Sequence, residues 1–206
     1  MKITTWNIRG CTSPLKIRLL KRKIEPEQPW VVFLQETKCL EQELRQVVKK
    51  AWPRCDLATT YALGAAGGLG ILWNPRLVSF TNLRASVFMM TGVLWILGTD
   101  LQILTTNVYG PSHPHRKKEF LDTLGSIRED ETPMPWILGG DLNLIQNPEE
   151  KKGGMRRITP WNHRFNQIIE DQGLVEVRTN NGLFTWHNKR AGDRTIACRL
   201  DRFLVT

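Results

Sequence analysis

Three polar side chains stand directly after apolar segments, where a strand end would present them to solvent. Asn7 follows TTW, Glu36 follows VVFLQ and Asp141 follows WILGG. An apolar strand is a rigid support, so a polar side chain at its end keeps a fixed position. One amide and two carboxylates supply the oxygen ligands that a hard cation such as Mg²⁺ prefers. Each residue alone is also typical of a turn or a solvated charge, and the three together favour a metal site.

A second set of side chains suggests hydrolysis of a phosphodiester. Asp141 and Asn143 lie two residues apart in GGDLN, so in an extended chain they point to the same side. The carboxylate can then orient or deprotonate a water molecule while the amide holds a phosphate oxygen. The alternative is an Asx turn, in which the side chain serves only the backbone. Tyr109, before the Gly-Pro turn of NVYGP, can donate to a phosphate oxygen or to the backbone.

Interleaved strand-like and helix-like segments must position these side chains. The apolar runs WVVFLQE and WILGG are typical of buried strands, and TGVLWILGTD followed by LQILTTNVYG predicts an antiparallel hairpin. SPLKIRLLKRKI predicts a helix that Ser13 caps and Pro14 begins. Because no linker or repeat interrupts the pattern, we predict one α/β domain over residues 1–206, with two sheets packed face to face and helices outside.

Composition narrows the class of protein further. The net charge of +9 favours a polyanionic partner. The four cysteines are scattered without CxxC spacing, which argues against a zinc site. The N-terminus lacks the apolar core of a secretion signal, and the apolar stretch VFMMTGVLWILG is too short to span a bilayer. These features predict an intracellular protein, nuclear or cytoplasmic, with no membrane partner.

Six segments occur in an order that matches a known family: TTWNIRG, FLQET, GGLGILW, NVYGP, GGDLN and RLDRFLV. With them the chain resembles the endonuclease/exonuclease/phosphatase superfamily, which includes the apurinic endonucleases and DNase I. Further segments, EEKKGG, IIEDQGL and FTWHN, together with the final RLDRFLV, look like the endonuclease domain of plant LINE-type (non-LTR) retrotransposons. The resemblance covers nearly the whole chain.

The resemblance implies a four-layered α/β sandwich of two mostly antiparallel sheets with outer helices. It also implies a Mg²⁺- or Mn²⁺-dependent phosphodiesterase that nicks DNA to prime reverse transcription, beside a reverse transcriptase region in an intact element. By motif, Glu36 resembles the metal-binding glutamate, and Asn7 resembles the asparagine that supports metal and phosphate. Asp141 resembles the aspartate that activates water, while Asn143 and Tyr109 resemble phosphate contacts.

Two positions depart from the family pattern. Arg9 stands where some relatives have an acid near the metal. Asp201, in RLDRFLV, resembles an aspartate that holds the histidine of a later Ser-Asp-His motif, and residues 1–206 stop before such a motif. We therefore expect the closing strand to be missing, the sheet edge to be unpaired and open to self-association, and catalysis to be impaired.

Basic residues near these segments are candidate contacts to the phosphate backbone of DNA. Such contacts supply affinity and salt dependence but little sequence choice. The candidates are Arg9, Lys38, Arg116, Lys117, Lys151, Lys152, Arg156, Arg157, Lys189, Arg190, Arg199 and Arg202.

Two other functions stay open beside the endonuclease. One is a domesticated module that binds nucleic acid or protein without cutting, which the absence of the late histidine favours. The other is a phosphatase of the same superfamily that acts on a lipid or small molecule, which the basic charge disfavours. Nicking of supercoiled DNA that depends on Glu36 and Asp141 would separate the endonuclease from both.

Overall fold

The computed structural model describes residues 1–60, 67–128, 133–178 and 182–206, and within them it has four α-helices and thirteen strands. The helices are α1 (Pro14–Glu27), α2 (Glu41–Ala51), α3 (Lys117–Gly125) and α4 (Pro160–Asp171). The strands are β1 (Ile3–Asn7), β2 (Val31–Gln35), β3 (Asp56–Thr59), β4 (Leu69–Trp73), β5 (Val78–Ala85), β6 (Met89–Ile96), β7 (Gln102–Tyr109), β8 (Trp136–Asp141), β9 (Lys151–Lys152), β10 (Val175–Glu176), β11 (Trp186–His187), β12 (Ala197–Cys198) and β13 (Asp201–Val205).

The chain divides into two compact units. Unit 1 comprises Met1–Tyr109 and Met134–Gly140, and unit 2 comprises Gly110–Pro133 and Asp141–Thr206. No helix among the described residues is long and apolar enough to cross a membrane.

Unit 1 contains two sheets that pack face to face. In the first sheet, with strand order β1-β2-β4-β3, β1 and β2 are parallel, and the other pairs are antiparallel. In the second, β8, β7, β6 and β5 are neighbours in that order, and β6 and β7 form the predicted antiparallel hairpin. Buried polar groups join the sheets: Gln35 Nε2 donates to Asn107 Oδ1 at 2.6 Å, and Asn107 Nδ2 donates to the Gly70 carbonyl at 2.9 Å. Because these hydrogen bonds are buried and directional, the polar bridge helps to fix the register of one sheet on the other.

Two helices cover the outer face of the first sheet in unit 1. Leu20 of α1 and Leu44 of α2 belong to the same buried apolar cluster as Leu34 of β2. The start of α1 is as predicted, with Pro14 as its first residue and the Ser13 hydroxyl accepting from the Lys16 amide at 3.3 Å. Helix and sheet therefore bury one continuous core, as the apolar periodicity of α1 requires.

Unit 2 is built around two packed helices and a buried group of charges. α3 and α4 contact each other, while β11, β12 and β9 form a small sheet. Arg202 lies 2.8 Å from Glu150 and 3.3 Å from Glu176, and Arg199 lies 2.7 Å from Glu176. We call these four residues the Arg202 cluster. The Arg202 side chain is 0% exposed, so burial removes Arg199 and Arg202 from the predicted DNA contacts and gives them a structural role.

The last strand of unit 2, β13, is paired with the segment that follows α4, while the missing closing strand and the unpaired edge expected from the family pattern stay predictions. Val175 and Glu176 of β10 pair with Val205 and Leu204 of β13 in antiparallel register. The segment after α4 therefore returns alongside β13 and forms hydrogen bonds with it. The predicted fold class, a mixed α/β protein with several sheets packed against helices, is confirmed.

Candidate functional sites

The first candidate site gathers side chains around Glu36 at one edge of the first sheet. Because β1 and β2 are parallel and Asn7 is in register with Gln35, Asn7 and Glu36 leave the sheet at the same edge. Asn7 Nδ2 donates to Glu36 Oε1 at 2.7 Å, and Lys38 Nζ lies 2.9 Å from Oε2. The Tyr109 hydroxyl also donates to this carboxylate. We call these four residues the Glu36 cluster.

The surroundings of Glu36 keep its carboxylate ionised. Its side chain is only 14% exposed, and burial by itself raises the pKa of a carboxyl group. Hydrogen bonds from Lys38, Asn7 and Tyr109, with the charge of Lys38, outweigh burial and lower the pKa of Glu36 below its usual value. A buried anion that three donors hold in place is suited to meeting a cation.

The backbone of unit 1 is held in an unusual conformation at the same edge. Arg9, Glu36 and Lys38 have φ values of 51°, 52° and 50°, in the left-handed region that non-glycine residues avoid. Backbone bonds hold them there, since the Gly10 amide donates to the Glu36 carbonyl at 2.7 Å and the Lys38 amide donates to the Gly67 carbonyl at 3.2 Å. Residues in such conformations concentrate at functional sites, so this backbone geometry supports the assignment of the Glu36 cluster.

The second candidate site lies in unit 2 around Asp141, and we call it the Asp141 cluster. The backbone N–H of Asn143 donates to Asp141 Oδ1 at 3.1 Å. This is the contact of an Asx turn, which was the alternative interpretation of GGDLN. Asn143 Nδ2 donates to the Gly110 carbonyl at 2.8 Å, and the Gly110 amide donates to the Asp141 carbonyl at 2.7 Å. Asp141 is buried and Asn143 is half-buried with a φ of 50°, so the turn holds both side chains in a fixed arrangement.

Lys117 is half-buried beside the Asp141 cluster, and its predicted DNA contact stays a prediction. Its Nζ donates to the Asn143 carbonyl at 3.0 Å, and burial lowers the pKa of this lysine. It therefore supports the loop of the Asp141 cluster. No sequence signal distinguishes it from Lys118, which is exposed and pairs with Asp122.

Asp201 begins β13, and backbone contacts in unit 2 place its segment beside that of Asp141. The Leu142 amide donates to the Leu200 carbonyl at 2.9 Å. The Thr185 hydroxyl accepts from the amides of Leu200 and Asp201 at 3.0 Å each. Thr185, which the sequence did not mark, thus anchors the entry to β13.

Most of the other predicted DNA contacts are accessible. Arg9, Lys152, Arg156, Arg157, Lys189 and Arg190 are exposed, and Arg116 and Lys151 are half-buried. In unit 2, β12 joins the two basic segments because it pairs with β9 on one side and β11 on the other. Arg194, which was not predicted, is exposed in the same region. We call β9, β11, β12 and the loops at 153–157 and 188–195 the basic sheet.

The donor set in unit 1 fits a hard divalent cation. The described residues contain no group of three or more histidine, cysteine, aspartate or glutamate side chains that could form an all-protein cage. Mg²⁺ instead takes one or two carboxylates and completes its shell with water and substrate phosphates. The ionised Glu36 carboxylate, with the Asn7 amide beside it, meets that need.

Comparisons with known proteins identify the family and the fold of the chain. The model of the Endonuclease/Exonuclease/phosphatase family matches residues 4–206. No curated protein is detectably similar to the sequence. Among solved structures, an AP endonuclease (LMAP) from Leishmania major has a TM-score of 0.79 at 18% identity, over 100% of this chain and 78% of that chain.

Two further structures share the fold at low identity. The endonuclease domain of TRAS1, a telomere-specific non-LTR retrotransposon, has a TM-score of 0.75 at 13% identity, over 100% of this chain and 84% of its own. A 3'-5' exonuclease (NExo) from Neisseria meningitidis has a TM-score of 0.76 at 18% identity, over 100% of this chain and 87% of its own. These likenesses extend over the whole of the present sequence, and the family match covers nearly all of it. The chain belongs to the endonuclease/exonuclease/phosphatase family.

Proposed function

We propose that the chain is a divalent-metal-dependent DNA endonuclease-like phosphodiesterase of the LINE retrotransposon type. The observation that carries the proposal is Glu36, an ionised and largely buried carboxylate that three donors hold on a left-handed backbone. Family membership supports phosphoester hydrolysis as the chemistry. The LINE assignment rests on the segments EEKKGG, IIEDQGL and FTWHN and on the likeness to a retrotransposon endonuclease domain.

Glu36 and Asn7 are the residues that would hold Mg²⁺ or Mn²⁺. Such an ion polarises a phosphoryl oxygen and offsets the negative charge that develops during hydrolysis. Lys38 now neutralises Oε2 of Glu36, and its flexible side chain is 39% exposed, so it can swing away when a cation binds. Tyr109 and Asn7 then keep the carboxylate oriented. The further metal contact predicted for Asp141 stays a prediction.

Asp141 is proposed to orient or deprotonate the attacking water. The backbone N–H of Asn143 donates to Oδ1 of Asp141. This bond fixes the direction of the carboxylate without adding a formal charge. Asn143 Nδ2 carries two hydrogens and donates one of them to the Gly110 carbonyl. The second hydrogen is proposed to donate to a phosphate oxygen. Asp201 begins a segment that lies beside Leu142. Its proposed role is the one that the family pattern implies, which is to orient a histidine of the Ser-Asp-His type.

DNA is the proposed substrate, and the basic sheet is the proposed surface for its backbone. Lys152, Arg156, Arg157, Lys189 and Arg190 are exposed there. Contacts of this kind depend strongly on salt and little on sequence. Arg9, exposed in unit 1 two residues after Asn7, is a further candidate for a phosphate near the metal ligands.

The test is nicking of supercoiled plasmid by the purified chain with Mg²⁺ or Mn²⁺. We expect EDTA to abolish nicking, and Glu36→Gln and Asp141→Asn each to reduce it by about 100-fold or more, because each removes a charge that acts on the reacting groups. Glu25→Gln is the matched control, since Glu25 is an exposed acid paired with Lys21 on α1, outside both clusters and the basic sheet.

Three outcomes would contradict the proposal. Nicking that survives both substitutions would come from another protein in the preparation. Salt-sensitive DNA binding without nicking would favour a binding module instead. Release of phosphate from a small phosphoester or inositol lipid, with DNA left intact, would favour a phosphatase.

A further inference from the structure

Two buried thiols in unit 1 lie on the segments that follow β1 and β2, the strands that lead to Asn7 and Glu36. The Sγ atoms of Cys11 and Cys39 are 2.7 Å apart, closer than non-bonded sulfur atoms usually approach. Cys11 follows Asn7 by four residues, and Cys39 follows Glu36 by three. The Cys11 amide donates to the Thr37 carbonyl at 3.1 Å, so the backbones that carry the thiols already run side by side.

This geometry is close to that of a covalent cross-link. A disulfide has an S–S length of about 2.05 Å, so the two sulfur atoms need to approach by only about 0.65 Å. A shift of that size is within the reach of small side-chain rotations. Cys55 and Cys198 are also free thiols, and no contact brings either of them to another cysteine among the described residues.

We propose that Cys11 and Cys39 are a redox modification site that closes into a reversible disulfide. A peroxide is the oxidant. The Cys39 thiolate attacks one peroxide oxygen, the O–O bond breaks, and sulfenic acid and hydroxide (or an alkoxide) form. Cys11 sulfur then attacks the sulfenic sulfur, the S–S bond forms, and the hydroxyl leaves with the Cys11 proton as water. Two thiols are oxidised and one peroxide is reduced, and a dithiol reductant reverses the change.

The two thiols differ in a way that supports this order of attack. The hydrogen bond between the two sulfur atoms lowers the pKa of Cys39 and raises that of Cys11, and Thr37 further lowers the pKa of Cys39. The thiolate is the reactive form, so Cys39 reacts first and Cys11 resolves it. Burial, helped by Asp56, raises the pKa of Cys55 to about 12, which makes it a slow competitor.

The cross-link would tie together the two strand ends that carry Asn7 and Glu36. Because the required movement is well below 1 Å by the disulfide length above, we expect the Asn7–Glu36 hydrogen bond to survive oxidation. The disulfide protects Cys39 from over-oxidation, because it consumes the sulfenic acid before a second peroxide can convert it to sulfinic acid. It does not depend on the proposed nuclease function.

The test treats the folded chain with hydrogen peroxide, blocks remaining thiols with N-ethylmaleimide in denaturant, and analyses the digest by mass spectrometry. We expect a linked Cys11–Cys39 peptide pair that is two hydrogens lighter than the two free peptides and that dithiothreitol separates. In Cys11→Ala, Cys39 should instead pass to sulfenic and sulfinic acid. Cys55→Ala is the matched control and should link Cys11 to Cys39 as the parent chain does.

The parent chain alone is enough to overturn the proposal, even if Cys11→Ala fails to fold. Both thiols remaining open to N-ethylmaleimide after peroxide would contradict it. So would sulfinic acid at Cys39 without any linked pair, or a link from either residue to Cys55 or Cys198. A loss of nicking activity in the proposed-function assay bears on none of these readouts.

Discussion

The Glu36 cluster and the Arg202 cluster are both groups of carboxylates and cations, and their differences show what each is for. In unit 2, Arg202 is completely buried and makes paired contacts to Glu150 at 2.8 Å and 3.1 Å. In unit 1, Glu36 meets a lysine whose side chain is well exposed, on a left-handed backbone. Arginine gives rigid, planar pairing, whereas lysine is a flexible point charge. The Arg202 cluster therefore suits permanent packing, and the Glu36 cluster suits exchange of its cation.

The largest expected effect comes from breaking the Arg202 cluster. Arg202→Met should lower the free energy of unfolding by about 3–5 kcal/mol, because it leaves the buried Glu150 carboxylate without its cation and leaves Glu176 with Arg199 alone. Urea unfolding measures this change. Arg157→Met is the matched control on an exposed arginine and should stay within about 0.5 kcal/mol. A small loss for Arg202→Met would mean that the cluster is not structural.

The same isosteric substitution should separate the two clusters. Glu150→Gln should cost about 2 kcal/mol of unfolding free energy, since it removes a charged partner from buried Arg202. Glu36→Gln should cost less than about 1 kcal/mol, because its cation is exposed and can turn to water. Equal losses in urea unfolding would refute the division into a structural and an exchangeable group.

The pH dependence of stability should report Glu36. Its folded pKa lies below the unfolded value of about 4.3, so its stabilising contribution is complete above that pH and is lost as the pH falls through the folded pKa. The difference in unfolding free energy between the parent chain and Glu36→Gln should therefore shrink below about pH 4. A difference that grows on acidification would mean that the pKa is raised.

Lys38 allows the role of the ion pair in that shift to be tested directly. Lys38→Met should raise the pKa of Glu36, because it removes both a hydrogen bond and a positive charge from the carboxylate. NMR titration of the Glu36 carboxyl carbon measures the change. Lys50→Met, on an exposed lysine of α2, is the control and should leave the pKa of Glu36 where it is. An unchanged value in Lys38→Met would show that Asn7 and Tyr109 suffice.

The smallest expected effect concerns the backbone at Lys38. Lys38→Gly should be more stable than Lys38→Ala by about 1 kcal/mol, because glycine adopts a φ near 50° without strain. Both variants lose the same ion pair, so their difference isolates the backbone. Thermal unfolding gives the comparison. If the alanine variant is the more stable, the left-handed backbone at this edge is relaxed.

Much of the local structure could be predicted because short-range physics decides it. Ser13 and Pro14 mark the start of α1 since a cap and a preset φ act over a few residues. The β6–β7 hairpin follows from two adjacent apolar runs and a tight turn. One available signal was missed: strict alternation in β13 places Arg202 on the same face as buried Leu204, which indicates a buried arginine.

The sequence by itself determined the mixed α/β class and the strand ends that carry Asn7 and Glu36, because each depends on neighbours along the chain. Only the tertiary structure decided which partners the buried charges meet and which thiols meet. Arg202 and Glu150 are 52 residues apart, and Cys11 and Cys39 are 28 apart. Contacts at such separations arise from the packing of whole elements, so no local pattern encodes them.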